Sequence, residues 1–161
     1  MAVYQFRTKQ HVAASIDEVW DFISSPANLK KITPAHMGFE ITSEGADAKM
    51  YSGMIITYKV SPLMGIKMDW MTEITHVKEK KYFVDEQRLG PYKMWHHQHH
   101  LIAEHDGVSM LDTVTYIPPF GFLGAIANKL IIQKKLKEIF DYRTLAVNKE
   151  FPKKNKSQEQ K

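Results

Sequence analysis

No cysteine occurs among the 161 residues. That removes disulfides, thiolate metal ligands and cysteine nucleophiles, and it suits a reducing compartment, so a cytoplasmic location is expected. No run of 18 apolar residues is present, and the opening Met1–Arg7 alternates apolar with polar side chains instead of joining a basic start to an apolar stretch. Neither export nor a transmembrane segment is expected. The chain also lacks a Gly-rich phosphate loop, a GxSxG elbow, an HExxH pair and a P-loop, which argues against the common kinase, hydrolase and zinc-protease classes. Net positive charge is nearly absent from the body of the chain. Five lysines between Lys149 and Lys161, set against Glu150 and Glu159, carry +3 of the formal +4. No nucleic-acid partner is expected on that balance, and residues 149–161 read as a disordered, solubilising tail.

What is present suits one domain over residues 1–148: 43% hydrophobic and 11% aromatic residues can bury a sizeable core. Tyr4–Val12 reads as a strand. Ser15 then stands as N-cap to a short helix, with Glu18 three residues on as its capping-box partner. Pro26 stops that helix, and Asn28–Ile32 forms a second short one closed by Thr33-Pro34. From Phe39 to Tyr116 the pattern is strand throughout. Breaks at Glu44–Asp47, Ser61–Gly65, Lys78–Lys80, Leu89–Lys93 and Glu104–Gly107 give about six strands, seven with the first. After Pro118-Pro119, Phe122–Val147 places Phe122, Ile126, Leu130, Leu136, Ile139, Phe140 and Val147 near one helical face. At 1.5 Å per residue this helix spans about 39 Å, enough to lie across a whole sheet. The fold class is therefore α+β, a curved antiparallel sheet of about seven strands wrapped around a long C-terminal helix.

The turn at Asp106-Gly107 sets a register. A two-residue turn there pairs His105 with Val108, and behind it Leu101 with Asp112, His99 with Val114 and His97 with Tyr116. Trp95, His97, His99, Leu101 and Ala103 then share a face with Met110, Asp112, Val114 and Tyr116, the more apolar face of both strands. His96, Gln98 and His100 fall on a face suited to solvent. One hairpin earlier, a turn at Glu79-Lys80 pairs Ile74 with Asp85 and Thr72 with Gln87, and turns Met68 and Trp70 inward. A three-residue turn would send Asp85 and Gln87 outward. The concave face so assembled offers Met68, Trp70, Trp95, Met110, Val114 and Tyr116 as apolar wall, with Gln87, His97, His99 and Asp112 as polar groups. Buried polar groups need partners. Either His99 and Asp112 satisfy one another as a buttress, or they orient a ligand, or they move protons as a catalytic pair.

The loops at Pro62-Leu63-Met64, Pro91-Tyr92 and Pro118–Leu123 fall at one end of the meander and are unusually apolar. They form either the mouth of a ligand cavity, to which Phe120 would contribute, or a plug over the core. His97 and His99, with Asp112, are spaced to hold a metal, but His96 and His100 point away, and no metal or other cofactor is expected.

The order strand, two short helices, six strands, long helix resembles the SRPBCC superfamily, the START-like and pollen-allergen-like helix-grip fold, over about residues 3–148. Ser15–Phe22, Asn28-Leu29 with Ile32-Thr33-Pro34, Gly90-Pro91 with Trp95-His96-His97, and Asp112–Tyr116 are similar to bacterial ligand-binding members. The resemblance implies a hydrophobic cavity between sheet and helix. Three functions are compatible with it: binding or carriage of a small lipid-like, aromatic or polyketide-like molecule; a cyclase or dehydratase using the His–Asp pair; and a protein-interaction module docking through the apolar rim.

Overall fold

The computed structural model describes residues 2–45, 47–61 and 65–153. The elements run β1 (Tyr4–Val12), α1 (Ile16–Ile23), β2 (Glu40–Ile41), β3 (Met54–Val60), β4 (Met68–Lys78), β5 (Tyr82–Leu89), β6 (Met94–Glu104), β7 (Gly107–Ile117), α2 (Gly121–Ala127) and α3 (Gln133–Glu150). A π-helical turn, Asn128–Ile132, joins α2 to α3 in one continuous helix. Single-turn 3-10 segments at Pro26–Lys30 and Ala35–Met37 take the place of the second short helix. No helix among the described residues is long and apolar enough to cross a membrane.

Local chemistry accounts for α1. The Ser15 hydroxyl accepts the Glu18 N–H at 3.3 Å, and the Glu18 carboxylate accepts the Ser15 N–H at 2.8 Å, so two N-terminal donors are met reciprocally. The helix then buries Val19, Trp20, Phe22 and Ile23 against the sheet. All strands pair antiparallel in the order β1-β7-β6-β5-β4-β3-β2, which puts the first strand beside the last. The core has two parts. Val12, Ile56, Phe83, Val108 and Met110 pack around Trp20 of α1, while Val60, Trp70, Val114 and Tyr116 pack around Leu136 and Phe140 of the C-terminal helix.

Three expectations are corrected. The β6–β7 turn is His105-Asp106, closed by Glu104 opposite Gly107, so His99 faces Asp112, His97 faces Val114 and Trp95 faces Tyr116. This is two residues from the expected register, and with a side-chain period of two the faces are unchanged. The β4–β5 connection has three residues, Glu79–Lys81, with Lys80 left-handed at φ 57°. Asp85 and Gln87 nevertheless stay opposite Ile74 and Thr72, because a bulge at Thr75 restores the register the longer turn displaced.

The third correction concerns the C-terminal helix. Phe122, Ile126 and Leu130 are exposed, and Gly124, Asn128, Ile132, Leu136, Phe140 and Val147 face the sheet. A Cβ on Gly124 would stand 1.9 Å from the Pro119 carbonyl oxygen, so only glycine lets the helix begin this close to the preceding turn. Four residues on, Asn128 accepts a hydrogen bond from the Tyr116 hydroxyl at 2.7 Å. The wider π turn takes up the drift that would otherwise carry every fourth residue off the buried line. Burial pushes the Tyr116 hydroxyl up to about 12 despite this bond. Tyr116→Phe should cost about 1–2 kcal/mol in denaturant unfolding, since it leaves the buried Asn128 oxygen unmet; an unchanged midpoint would show that the bond contributes nothing. Helix α3 runs past residue 148 to Glu150, and Phe151 packs edge-on against Phe22, with ring centroids 5.5 Å apart.

Candidate functional site

Register brings four titratable side chains together on the concave face. His97 lies opposite Asp85 on β5 and Val114 on β7, and His99 lies opposite Phe83 and Asp112. Asp85, His97, His99 and Asp112 thus occupy neighbouring inward positions on three adjacent strands. His99 stands between the two carboxylates: Nε2 is 2.7 Å from Asp85 Oδ2, and Nδ1 is 2.8 Å from Asp112 Oδ1. His97 repeats the pattern more loosely, with Nε2 3.0 Å from Asp112 Oδ1 and Nδ1 3.4 Å from Asp85 Oδ2. The two imidazole centroids are 3.7 Å apart with the rings tilted by 41°, and His99 stacks on Phe83 at 4.1 Å.

From above, α3 lowers Arg143 onto the group. Its Nη1 is 3.7 Å from Asp112 Oδ1 and its Nη2 is 3.3 Å from His99 Nδ1, with the guanidinium over the Phe140 ring. Leu136, Phe140, Arg143 and Val147 follow the i, i+4, i+7, i+11 spacing of one buried stripe. That spacing was the available signal for Arg143, which sequence reasoning missed because a charge on a helix reads as solvated.

Each protonation state has a cause. Burial raises the Asp112 carboxyl, but Arg143 and the hydrogen bonds of His97 and His99 outweigh it and hold this carboxyl well below the usual carboxylate range. Asp85 is lowered against its own burial by His97, His99 and Arg143. Burial, then the neighbouring charge of His99, lower His97, whereas for His99 burial is overcome by hydrogen bonds to Asp112 and Asp85, and the group is raised. The two adjacent imidazoles are therefore pushed in opposite directions, His97 toward its neutral form and His99 toward its protonated one.

The histidines, Asp85 and Arg143 form the polar end of a cavity of about 170 Å³. Its remaining lining is almost wholly apolar: Leu29, Met37, Phe39, Met50, Ile56, Val60, Trp70, Ile74, Phe83, Tyr92, Trp95, Leu136, Ile139 and Phe140, with Tyr58, Thr33 and Thr72. It lies where the two halves of the core part. Tyr58 donates to or accepts from Thr72 at 3.0 Å, and burial pushes its hydroxyl pKa upward. Asp85, His97 and His99 are close enough together to hold an ion, with Asp85 where the sequence suggested Asp112, but their nitrogens and oxygens already pair with one another under a guanidinium, which opposes a cation.

A curved seven-stranded antiparallel sheet gripping a long C-terminal helix, with a cavity between them, has many solved counterparts. The KanY protein superposes with a TM-score of 0.70 at 15% identity, over 94% of this chain and 99% of that one. A Thalictrum norcoclaurine synthase point mutant in complex with a transition-state analogue gives 0.65 at 16%, over 92% and 96%. The protein Ara h 8.0201 gives 0.57 at 13%, over 92% and 99%. This is the helix-grip fold. No family model and no curated protein matches the sequence, so the likeness is one of architecture.

Within the helix-grip frame the expected site residues part company. Trp70, Trp95, His97 and His99 line the cavity. Asp112 stands behind the histidines and holds both. Val114 and Tyr116 belong to the packed core under the helix, and Met110 to the core under α1. Met68 is half-buried at the start of β4, outside the lining. Gln87 is spent on the Gly90-Pro91 turn, donating to the Tyr92 carbonyl at 2.7 Å and accepting the Tyr92 N–H at 3.2 Å; this clamp turns Tyr92 into the cavity. Phe120 points outward, 81% exposed. Of the apolar rim, Pro62-Leu63-Met64 lies outside the described residues.

Proposed function

We propose that this chain binds a small, mostly apolar molecule of about single-ring size that carries an acceptor oxygen. Among the described residues three buried side-chain polar atoms have no partner, and two of them, Trp70 Nε1 and Arg143 Nε, belong to residues lining the cavity. This is the observation that carries the reading. An unmet buried donor costs about 1–3 kcal/mol, so an acceptor brought in by a ligand recovers that energy while the ring gains from leaving water. The size follows from the cavity of about 170 Å³, since about 150 Å³ of apolar space holds a benzene-sized guest. Solved helix-grip proteins include a synthase complexed with a transition-state analogue, which supports a small organic occupant.

Toluene, phenol and acetophenone share a ring and differ in the oxygen. Calorimetry should show acetophenone or phenol binding at least about tenfold more tightly than toluene, with Trp70→Phe narrowing the difference. Equal affinities, or no binding of any of the three, would overturn the proposal. A second reading, proton transfer on a bound carbonyl compound, is favoured by two imidazoles with centroids 3.7 Å apart, His97 lowered and His99 raised, a pair whose environments push a base and an acid apart. It predicts deuterium exchange into the methyl group of acetophenone, abolished in His99→Gln while affinity stays within a few-fold; exchange at the buffer rate would refute it.

A further inference from the structure

The outward side of the α2 end of the helix is apolar where a surface helix is ordinarily polar. Phe120, Phe122 and Leu130 are 81, 76 and 67% exposed, and Leu123 and Ile126 are exposed between them. Phe120 also adopts a left-handed backbone, at φ 62°. A non-glycine residue there carries strain of order 1–3 kcal/mol, and strain of this kind concentrates at functional positions. Spacing of four residues from Phe122 through Ile126 to Leu130 makes these side chains one stripe, and Lys134 follows at the next step.

The charge around the stripe has one sign. No Asp or Glu occurs between Thr113 and Lys137. Lys135 and Lys137 are neutralised by Glu138 and Asp141, each at 2.6 Å, whereas among the described residues no carboxylate forms an ion pair with Lys93, Lys129 or Lys134, the last of which acts on Glu138 only at longer range. Lys93 lies beside Phe122, across the hollow they share with Pro118 and Ala125. Large apolar side chains flanked by unpaired lysines complement an interface that is oily below and anionic above.

We infer that this face docks on an anionic lipid surface, with Phe120, Phe122 and Leu130 entering the acyl boundary and Lys93, Lys129 and Lys134 meeting the headgroup phosphates. The docking is peripheral and rests on none of the cavity argument.

Co-sedimentation of the full chain with vesicles tests it. The chain should bind vesicles of mixed phosphatidylcholine and phosphatidylglycerol, and bind pure phosphatidylcholine at least about 20-fold more weakly, since each lysine near an anionic surface contributes about fivefold. Phe120→Ser with Phe122→Ser should lower binding by about 30-fold or more with an unchanged circular dichroism spectrum. Lys129→Gln with Lys134→Gln should lose about 25-fold on the anionic vesicles and nothing on the neutral ones. No sedimentation overturns the inference, as does equal sedimentation of wild type and the double phenylalanine variant. Sedimentation velocity without vesicles can overturn it as well: a wild-type dimer that the phenylalanine variant turns into a monomer would assign the face to a second copy of this chain.

Discussion

Asp112→Asn should lower unfolding free energy by about 3–5 kcal/mol at neutral pH, read from guanidinium midpoints, although the side chain keeps its shape. Asparagine removes one of the two charges that Arg143, His97 and His99 all address, and it does so where water cannot substitute, since Asp112 is buried and the Arg143 side chain is 11% exposed. The cost is that of a buried guanidinium and two imidazoles left with Asp85 as their single carboxylate. Arg143→Met in the Asp112→Asn background should recover part of the loss, giving a coupling energy well above about 0.5 kcal/mol in the double-mutant cycle. A loss below about 1 kcal/mol for the single variant would mean that the network does not hold the fold together.

The same groups set a pH signature. Asp112 and Asp85 have lowered folded-state pKa values, so their contribution is complete above about pH 5 and drains away as pH falls through the ordinary carboxylate range of about 4 toward the lower folded values. His99 is raised; its contribution is complete below about pH 6.5 and is lost as pH rises through its folded value. His97, being lowered, acts in the other direction, stabilising above about pH 6.5 and losing that contribution as pH falls. Acid should therefore unfold the wild type steeply below about pH 5. The acid limb of Asp112→Asn should be shallower, having lost the larger of the two carboxylate contributions.

Gly124→Val is the second large effect, with an expected loss of about 3 kcal/mol or more. The added Cβ would sit 1.9 Å from a backbone oxygen that has no rotamer by which to escape, so either the helix start or the Pro118-Pro119 turn must shift. Moving the helix also stretches the Tyr116–Asn128 bond, so a drop in thermal midpoint should accompany a change in near-ultraviolet signal from the buried tyrosine. A valine variant as stable as wild type would show that the close approach is not maintained in solution.

How far the sequence could be read depended on which physical rule dominated each region. The capping box at Ser15 and Glu18 was legible because capping is local, and the facing of β6 and β7 was legible because alternation survives a two-residue error in register. The inward placement of Asp85 depended on a bulge at Thr75 that nothing in the residue order announced. The helix face was misread because apolarity was taken as the mark of burial. Here close packing selected glycine at 124 and hydrogen bonding selected asparagine at 128, while the large apolar side chains went outward. Trp95, His97 and His99 were recognised as cavity residues through strand alternation. The same alternation turned Phe83 inward, whereas Arg143 and Tyr58 were not found, since their places depend on how separate elements meet.

The π turn has a consequence for how this helix can vary. One residue beyond an ordinary α-helical count lies between Gly124 and Leu136, and an α-helix turns about 100° per residue. Deleting Lys129 would remove that excess and let the stretch close as ordinary α-helix, leaving Gly124 against Pro119 and Phe122 and Ile126 outward, whereas a deletion in α3, which holds no spare residue, would turn everything beyond it by about that angle. The far end of the helix is keyed to the cavity and the near end to the outside, and the spare residue between them is slack that a one-residue change in length can take up.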